Sequence, residues 1–464
     1  MLERDSNAAV LNALGNSYKR IKRWELAADA YASSIVLDPE YVQPMESLAE
    51  LLLIQNKREE AQEIMEKAVD IEPTQERRYM MAQVYEYNNK KKARDLYKEI
   101  YEEDKNNKTA LGKYISLTKE IGSIEEFIEL LKETFEDEPG NEVYAGDILE
   151  ELYLDKRYSE GIDLIFKAKK NMPYEAALNL YMTFGDNIYR DQRDSTDEAE
   201  KVMLQAIEND DFNSWRIQYL GGLLASKIGD TARTEEYFSE VLMTADTIPD
   251  LATQVGIFFM NRNKLNRALD IFSLYSTKYP KDARFPFFEG VIYNQMDSLD
   301  KAEKKLLISY RLDTNNVDVL SNLGLIYDKR GIPEKTETFY QKAYAMQPDN
   351  PLLNNNYAYH LSNYGGDLER AERMARYALS IDKDNPSYLD TYAWIQYRLG
   401  KYEIALEYLN KALAVDDTSA ELYEHLGDVY IELGRKKDAK KAYQQAQLLD
   451  PTRIGLPAKL MQIN

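Results

Sequence analysis

Histidine is the side chain that most often moves a proton or binds a metal near neutral pH. This chain has two, His360 and His425. They stand far apart, each inside a stretch with helical apolar spacing, and read as structural residues. Cysteine is absent, which excludes disulfides and thiolate chemistry. No glycine-rich phosphate loop follows a strand pattern, because Gly221-Gly222 and Gly365-Gly366 sit where helices pack or turn. The run from Asp382 to Pro386 has calcium-like oxygen ligands but lacks the loop length and the closing Glu. Asn107-Lys108-Thr109 fits a glycosylation sequon and reads as a chance match. The acid-rich tract Glu120–Asp155 reads as a solvated outer face rather than a cation site. No catalytic residue, metal ligand or cofactor is assigned.

Recognition chemistry is better represented. A polar and aromatic stripe, offset from the apolar one at i, i+4 and i+7, recurs in three successive helical stretches. With its flank it holds Ser321, Asn322 and Asp328 in the first, and Asn355, Asn356, Tyr359 and Asn363 in the second. The third contributes Asp390, Trp394, Tyr397 and Arg398. An Asn amide both donates and accepts, so it grips a peptide backbone whatever its sequence. Exposed Trp394 and Tyr397 would add apolar contact. The competing reading is that Asn355 and Asn356 cap or start a helix and that Trp394 packs between neighbours. The expected ligand is a protein or extended peptide.

What positions this stripe is a repeat. Leu389, Tyr392, Ala393 and Gly400, then Ala405, Leu409 and Ala412, return as Tyr423, Leu426, Gly427 and Gly434, then Ala439, Tyr443 and Ala446. The step is about 34 residues, and each copy is two single-face helical patterns around a Gly-containing break. Pro39, Pro73, Pro139, Pro173, Pro280, Pro348 and Pro451 close units, since Pro cannot continue a helix. Gly or Ala in the first helix and Ala early in the second are expected to let the backbones approach. Thirteen units cover nearly the whole chain, the third, sixth and seventh loosely, and Thr452–Asn464 suggests a capping helix. At Asp191–Asp197 and Ala245–Asp250 extra residues are expected to change the curvature, with few apolar positions bridging the junction. The expected segments are 1–211, an irregular seventh repeat at 212–248, 249–453 and a tail at 454–464.

These residues resemble the tetratricopeptide repeat family. The resemblance implies an all-α fold: an α-solenoid, a right-handed superhelix of about thirteen helix-turn-helix repeats. It also implies a groove lined by an asparagine ladder, with Asn322 and Asn356 at equivalent positions. A clamp for chaperone tails is not there, because Asn12 and Asn16 are followed by Ser47, Glu76 and Tyr79. Asn354–Tyr359 and Tyr388–Trp394 look like the closing repeats of bacterial multi-repeat proteins, many of which resemble cell-envelope lipoproteins. The implied function is a non-enzymatic scaffold, periplasmic or outer-membrane-associated after loss of an N-terminal signal. The first repeat starts almost at Met1, which suggests a trimmed N-terminus. The alternative is a regulatory or targeting arm of a larger enzyme or cytoplasmic complex.

Composition narrows the partners. The chain has 464 residues, and 80 acids against 59 bases give a net charge of -21. That balance disfavours nucleic acid and anionic membrane surfaces. No apolar run reaches the roughly 18–20 residues of a membrane span.

Overall fold

The computed structural model describes residues 2–192, 196–209 and 212–463, with side chains from position 7 onward. They form 27 α-helices and no strand. Two units are distinguished, Met1–Phe238 and Ser239–Asn464. The first contains α1 (Leu2–Arg20), α2 (Trp24–Leu37), α3 (Gln43–Ile54), α4 (Arg58–Ile71), α5 (Gln75–Asn88), α6 (Lys90–Glu103) and α7 (Lys108–Ile121). It continues with α8 (Ile124–Asp137), α9 (Glu142–Leu154), α10 (Tyr158–Lys169), α11 (Tyr174–Arg190), α12 (Glu198–Glu208) and α13 (Trp215–Lys227). Helix α14 (Thr231–Thr244) begins in the first unit and ends in the second. The second then has α15 (Pro249–Asn261), α16 (Leu265–Lys278), α17 (Arg284–Gln295), α18 (Leu299–Leu312), α19 (Val317–Lys329), α20 (Pro333–Met346) and α21 (Pro351–Asn363). It ends with α22 (Leu368–Ile381), α23 (Pro386–Arg398), α24 (Tyr402–Val415), α25 (Ala420–Glu432), α26 (Lys436–Leu449) and α27 (Leu456–Ile463). Helices α1 to α26 make thirteen hairpins of an all-α solenoid, and α27 follows them.

The small residues of the first helices work differently from the expectation. A Cβ on Gly15 would lie 2.5 Å from the Tyr31 ring, and one on Gly324 would lie 2.6 Å from that of Tyr340. Gly427 faces Tyr443 and Gly256 faces Phe272 in the same way. The glycine therefore makes room for an aromatic ring of the second helix rather than for a bare backbone. Tyrosine hydroxyls then find acceptors at the edge of the core, as Tyr85 does on Glu66 at 3.0 Å and Tyr327 on Glu303 at 2.6 Å. At most hairpin turns one residue takes positive φ. It is Gly331, Gly400 and Gly434 in the later repeats, but Lys22, Asn56 and Lys156 in the earlier ones.

The register slip in the sixth repeat does not interrupt the core. Of the polar stretch Asp191–Asp197, residues 193–195 lie outside those described. On either side of it Phe184, Ile188, Met203, Leu204, Ile207, Phe212, Ile217 and Leu220 are buried in one continuous cluster. The expectation that few apolar positions bridge this point is therefore corrected. A half-buried ammonium reinforces the join. Lys227, in the last turn of α13, donates to the carbonyls of Ile188 at 3.0 Å, Tyr189 at 2.8 Å and Asp191 at 2.6 Å. It also pairs with Glu200 of α12 at 2.7 Å, and Glu200 is only 3% exposed. The last carbonyls of a helix attract a cation, and here the cation comes from the next repeat.

Candidate functional site: the first-helix face of the last repeats

Each first helix in this region starts from a side-chain cap. Asn316, Asn350, Asn385 and Ser419 accept from the backbone N–H of Val319, Leu353, Tyr388 and Leu422. Pro351 and Pro386 follow their caps directly, at positions where no intrahelical N–H bond is lost. Asn355 and Asn356 are thus not caps. The starts of α19, α21, α23 and α25 are 34, 35 and 34 residues apart, so one register runs through all four. It aligns Asn322, Asn356, Thr391 and His425, and beside them Ser321, Asn355, Asp390 and Glu424.

The nine candidates divide three ways. Asn322 is half-buried and bonds its own helix at the Asp318 carbonyl, 2.9 Å away. Asn356 is half-buried and accepts from Asn355 at 3.2 Å, and Arg398 is exposed. These three keep polar atoms towards the surface. Asn355 does not, being 3% exposed with its amide turned towards Ser387 of α23. Asp390, 9% exposed, is likewise no free acceptor, because its Oδ1 lies 2.8 Å from His425 Nδ1.

The remaining four build a bridge across three repeats. Trp394 donates its indole N–H to Asn363 Oδ1 at 2.7 Å. Its ring stacks on Tyr397 at 4.8 Å and on His425 at 4.3 Å, with interplanar angles of 16° and 20°. The Trp394–Tyr397 pair is therefore half-buried, not the exposed pair expected. Tyr359 of α21 reaches past α23 and donates its hydroxyl to Glu421 of α25 at 3.1 Å. Burial raises the Tyr359 phenol well above its ordinary range.

The next repeat completes the face, and the stripe extended by one more period would have found it. Helix α25 presents Glu421, Glu424, His425 and Asp428. Lys459 of α27 lies 2.8 Å from Glu424 and 2.7 Å from Asp428, and Arg453 also binds Glu424. Burial pushes Glu424 up, but Arg453 and Lys459 outweigh it and hold the carboxyl below the usual range. The Tyr443 hydroxyl donates to Asp428 at 2.6 Å. Asp390, Glu421 and His425 bring one ligand-type atom each within 4.8 Å of one another. Their hydrogen bonds commit them: imidazole to Asp390, and the Tyr359 hydroxyl to Glu421. The arrangement is an acid–imidazole pair rather than an open metal centre.

With the geometry in place, comparison with known proteins is direct. The tetratricopeptide repeat matches at residues 43–75 and 420–453, and a TPR repeat matches at 395–434. The chain therefore carries tetratricopeptide repeats in these stretches. It is 24% identical over 208 residues to the TPR repeat-containing protein PA4667 of Pseudomonas aeruginosa, covering 45% of this chain and 35% of that one. It is 32% identical over 97 residues to N-alpha-acetyltransferase 16, NatA auxiliary subunit, of Homo sapiens, covering 19% and 11%. The chain thus spans about a third or less of the length of these curated relatives. A solved tetratricopeptide repeat protein from Parabacteroides merdae is similar at 16% identity and a TM-score of 0.43, covering 54% of this chain and 98% of that one.

Proposed function

We propose that the protein is a non-enzymatic scaffold that holds a partner protein or extended peptide on the first-helix face of α19–α25. The observation that carries this reading is the shared register of the four helices, which sets Asn322, Asn356 and Arg398 along one face above a tied base. Such a row offers donors and acceptors at a spacing that suits an extended chain. The thirteen hairpins and α27 account for the described residues, and no further domain is left among them to carry a reaction. The excess of acids supports a protein partner over nucleic acid. We place the assembly in a bacterial envelope, periplasmic or outer-membrane-associated, on the likeness of the closing repeats to those of bacterial multi-repeat proteins; the similarity to a Pseudomonas protein supports only the bacterial part of this reading.

A photo-crosslinking residue at Asn356 or Arg398 in the native cell tests the face, with Lys411 of α24 as control. Crosslinks to one common partner from both face positions and not from Lys411 are expected. Equal labelling from all three would overturn the reading. Fractionation of the same cells tests the compartment, and recovery in the cytosolic fraction would remove the envelope assignment. A second reading, an arm of a larger enzyme complex, is favoured by the similarity to a NatA auxiliary subunit. Co-purification with a catalytic subunit would select it.

A further inference from the structure

Both histidines of the chain make the same contact. His360 of α21 places Nδ1 2.7 Å from Asp328 Oδ1 of α19, and His425 of α25 places Nδ1 2.8 Å from Asp390 Oδ1 of α23. In each case the carboxylate belongs to the first helix of the preceding repeat. Both imidazoles are buried, His425 at 5% exposure. An amide at either position would supply a hydrogen bond without the expense of burying an ionisable ring.

The surroundings of His425 favour a proton. Asp390 faces it from α23, and Glu421 and Asp428 flank it on α25. Lys459 and Arg453 lie nearby but engage Asp428 and Glu424, with Arg453 3.7 Å from Glu421. From α21 the Tyr359 hydroxyl donates to Glu421 and stays neutral. Trp394 lies flat against the ring.

We propose that His425 is a proton-operated clasp between α23 and α25 that sets the spacing of the first-helix face. Protonated, it gives Asp390 a charged partner and relieves the repulsion among Asp390, Glu421 and Asp428. Losing its proton to solvent, it leaves three carboxylates around a neutral ring. Burial alone would lower the imidazole pKa, but the three carboxylates outweigh it and raise the pKa above the ordinary 6.5. The stabilisation is therefore fully present below the unfolded value and is lost as pH rises through the higher folded one.

Trp394 reports on the clasp. A cationic imidazole stacked on an indole quenches its emission more than a neutral one does. The chain has three tryptophans, so replacing Trp24 and Trp215 by Phe leaves Trp394 alone. Its emission should rise in one step between pH 6 and 9, by about two-fold, with a midpoint above 6.5. Asp390→Asn should lower that midpoint by about one unit or more, and His425→Gln should abolish the step. A flat profile in the parent, or a step that survives His425→Gln, would overturn the proposal. Hydrogen exchange guards against a variant that merely misfolds. In the unmodified chain, amides of α23 and α25 should open about ten-fold more readily at pH 9 than at pH 6.5 after correction for intrinsic rates, and equal opening would overturn the clasp. The clasp needs no partner, so its failure is separate from failure of the scaffold reading.

Discussion

Around α11–α13 the repeat period slips, and the chain is held by apolar side chains and one half-buried ammonium. Around α19–α25 the period is kept to within one residue, and polar and aromatic groups meet from one first helix to the next. The contrast has a physical cause. Apolar burial is non-directional, so a cluster tolerates a shift of several residues. Hydrogen bonds and ring stacks need distances and angles met within tenths of an ångström. A polar face can therefore be carried only where the register is kept. Lys227 largely obeys this too: beside Glu200, its acceptors are three main-chain carbonyls at a helix end, which do not depend on side-chain register.

The largest expected effect breaks the first region. Lys227→Met leaves Glu200 buried without its cation and takes one donor from each of three carbonyls. Removing one member of such a pair costs about 3–5 kcal/mol, and adding Glu200→Gln should recover part of it. Hydrogen exchange over residues 174–227 measures this. A loss below about 1 kcal/mol would show that the apolar cluster alone carries the slipped register.

Next in size is the ring packing of the regular region. Gly427→Ala would push a methyl into the Tyr443 ring, costing about 1–3 kcal/mol by overpacking. Gly112→Ala in α7 meets nothing within 4 Å and should stabilise by up to about 1 kcal/mol through helix propensity. Thermal denaturation of the two variants should move in opposite directions. Movement in the same direction would deny the glycines their different roles.

A smaller effect tests the polar bridge. Asn363→Ala removes the acceptor of the Trp394 indole, worth about 1 kcal/mol, and should shift Trp394 emission without unfolding α23. At the C-terminal end acid should act where alkali acts on His425. The Glu424 carboxyl is held below its usual range, so its link to α27 is present above the unfolded value and lost as pH falls through the folded one. NMR of Met461 in α27 should show undocking in acid, and Glu424→Gln should undock it at neutral pH. The smallest effect on stability belongs to Asn356→Ala with Arg398→Ala. Surface changes of this kind stay within about 0.5 kcal/mol, while partner capture should fall. A large loss of stability would return these residues to the core.

The sequence by itself determined the hairpin repeat, its thirteen copies, the closing prolines and the terminal helix. Those features are local and recur, so each copy checks the others. It also placed Asn322, Asn356 and Arg398 on one stripe, because helical spacing alone decides which side chains share a face. Only the tertiary structure decided what that stripe is made of. Whether Asn355 and Asp390 face solvent depends on how close α21, α23 and α25 stand, and the second helices packed behind them set that distance. No local pattern shows that Tyr359 reaches Glu421 across an intervening helix, or that Trp394 lies flat on His425. Nor does any pattern show that Gly427 exists for the ring of Tyr443. Such contacts join side chains of different helices, and packing in three dimensions fixes which of them meet.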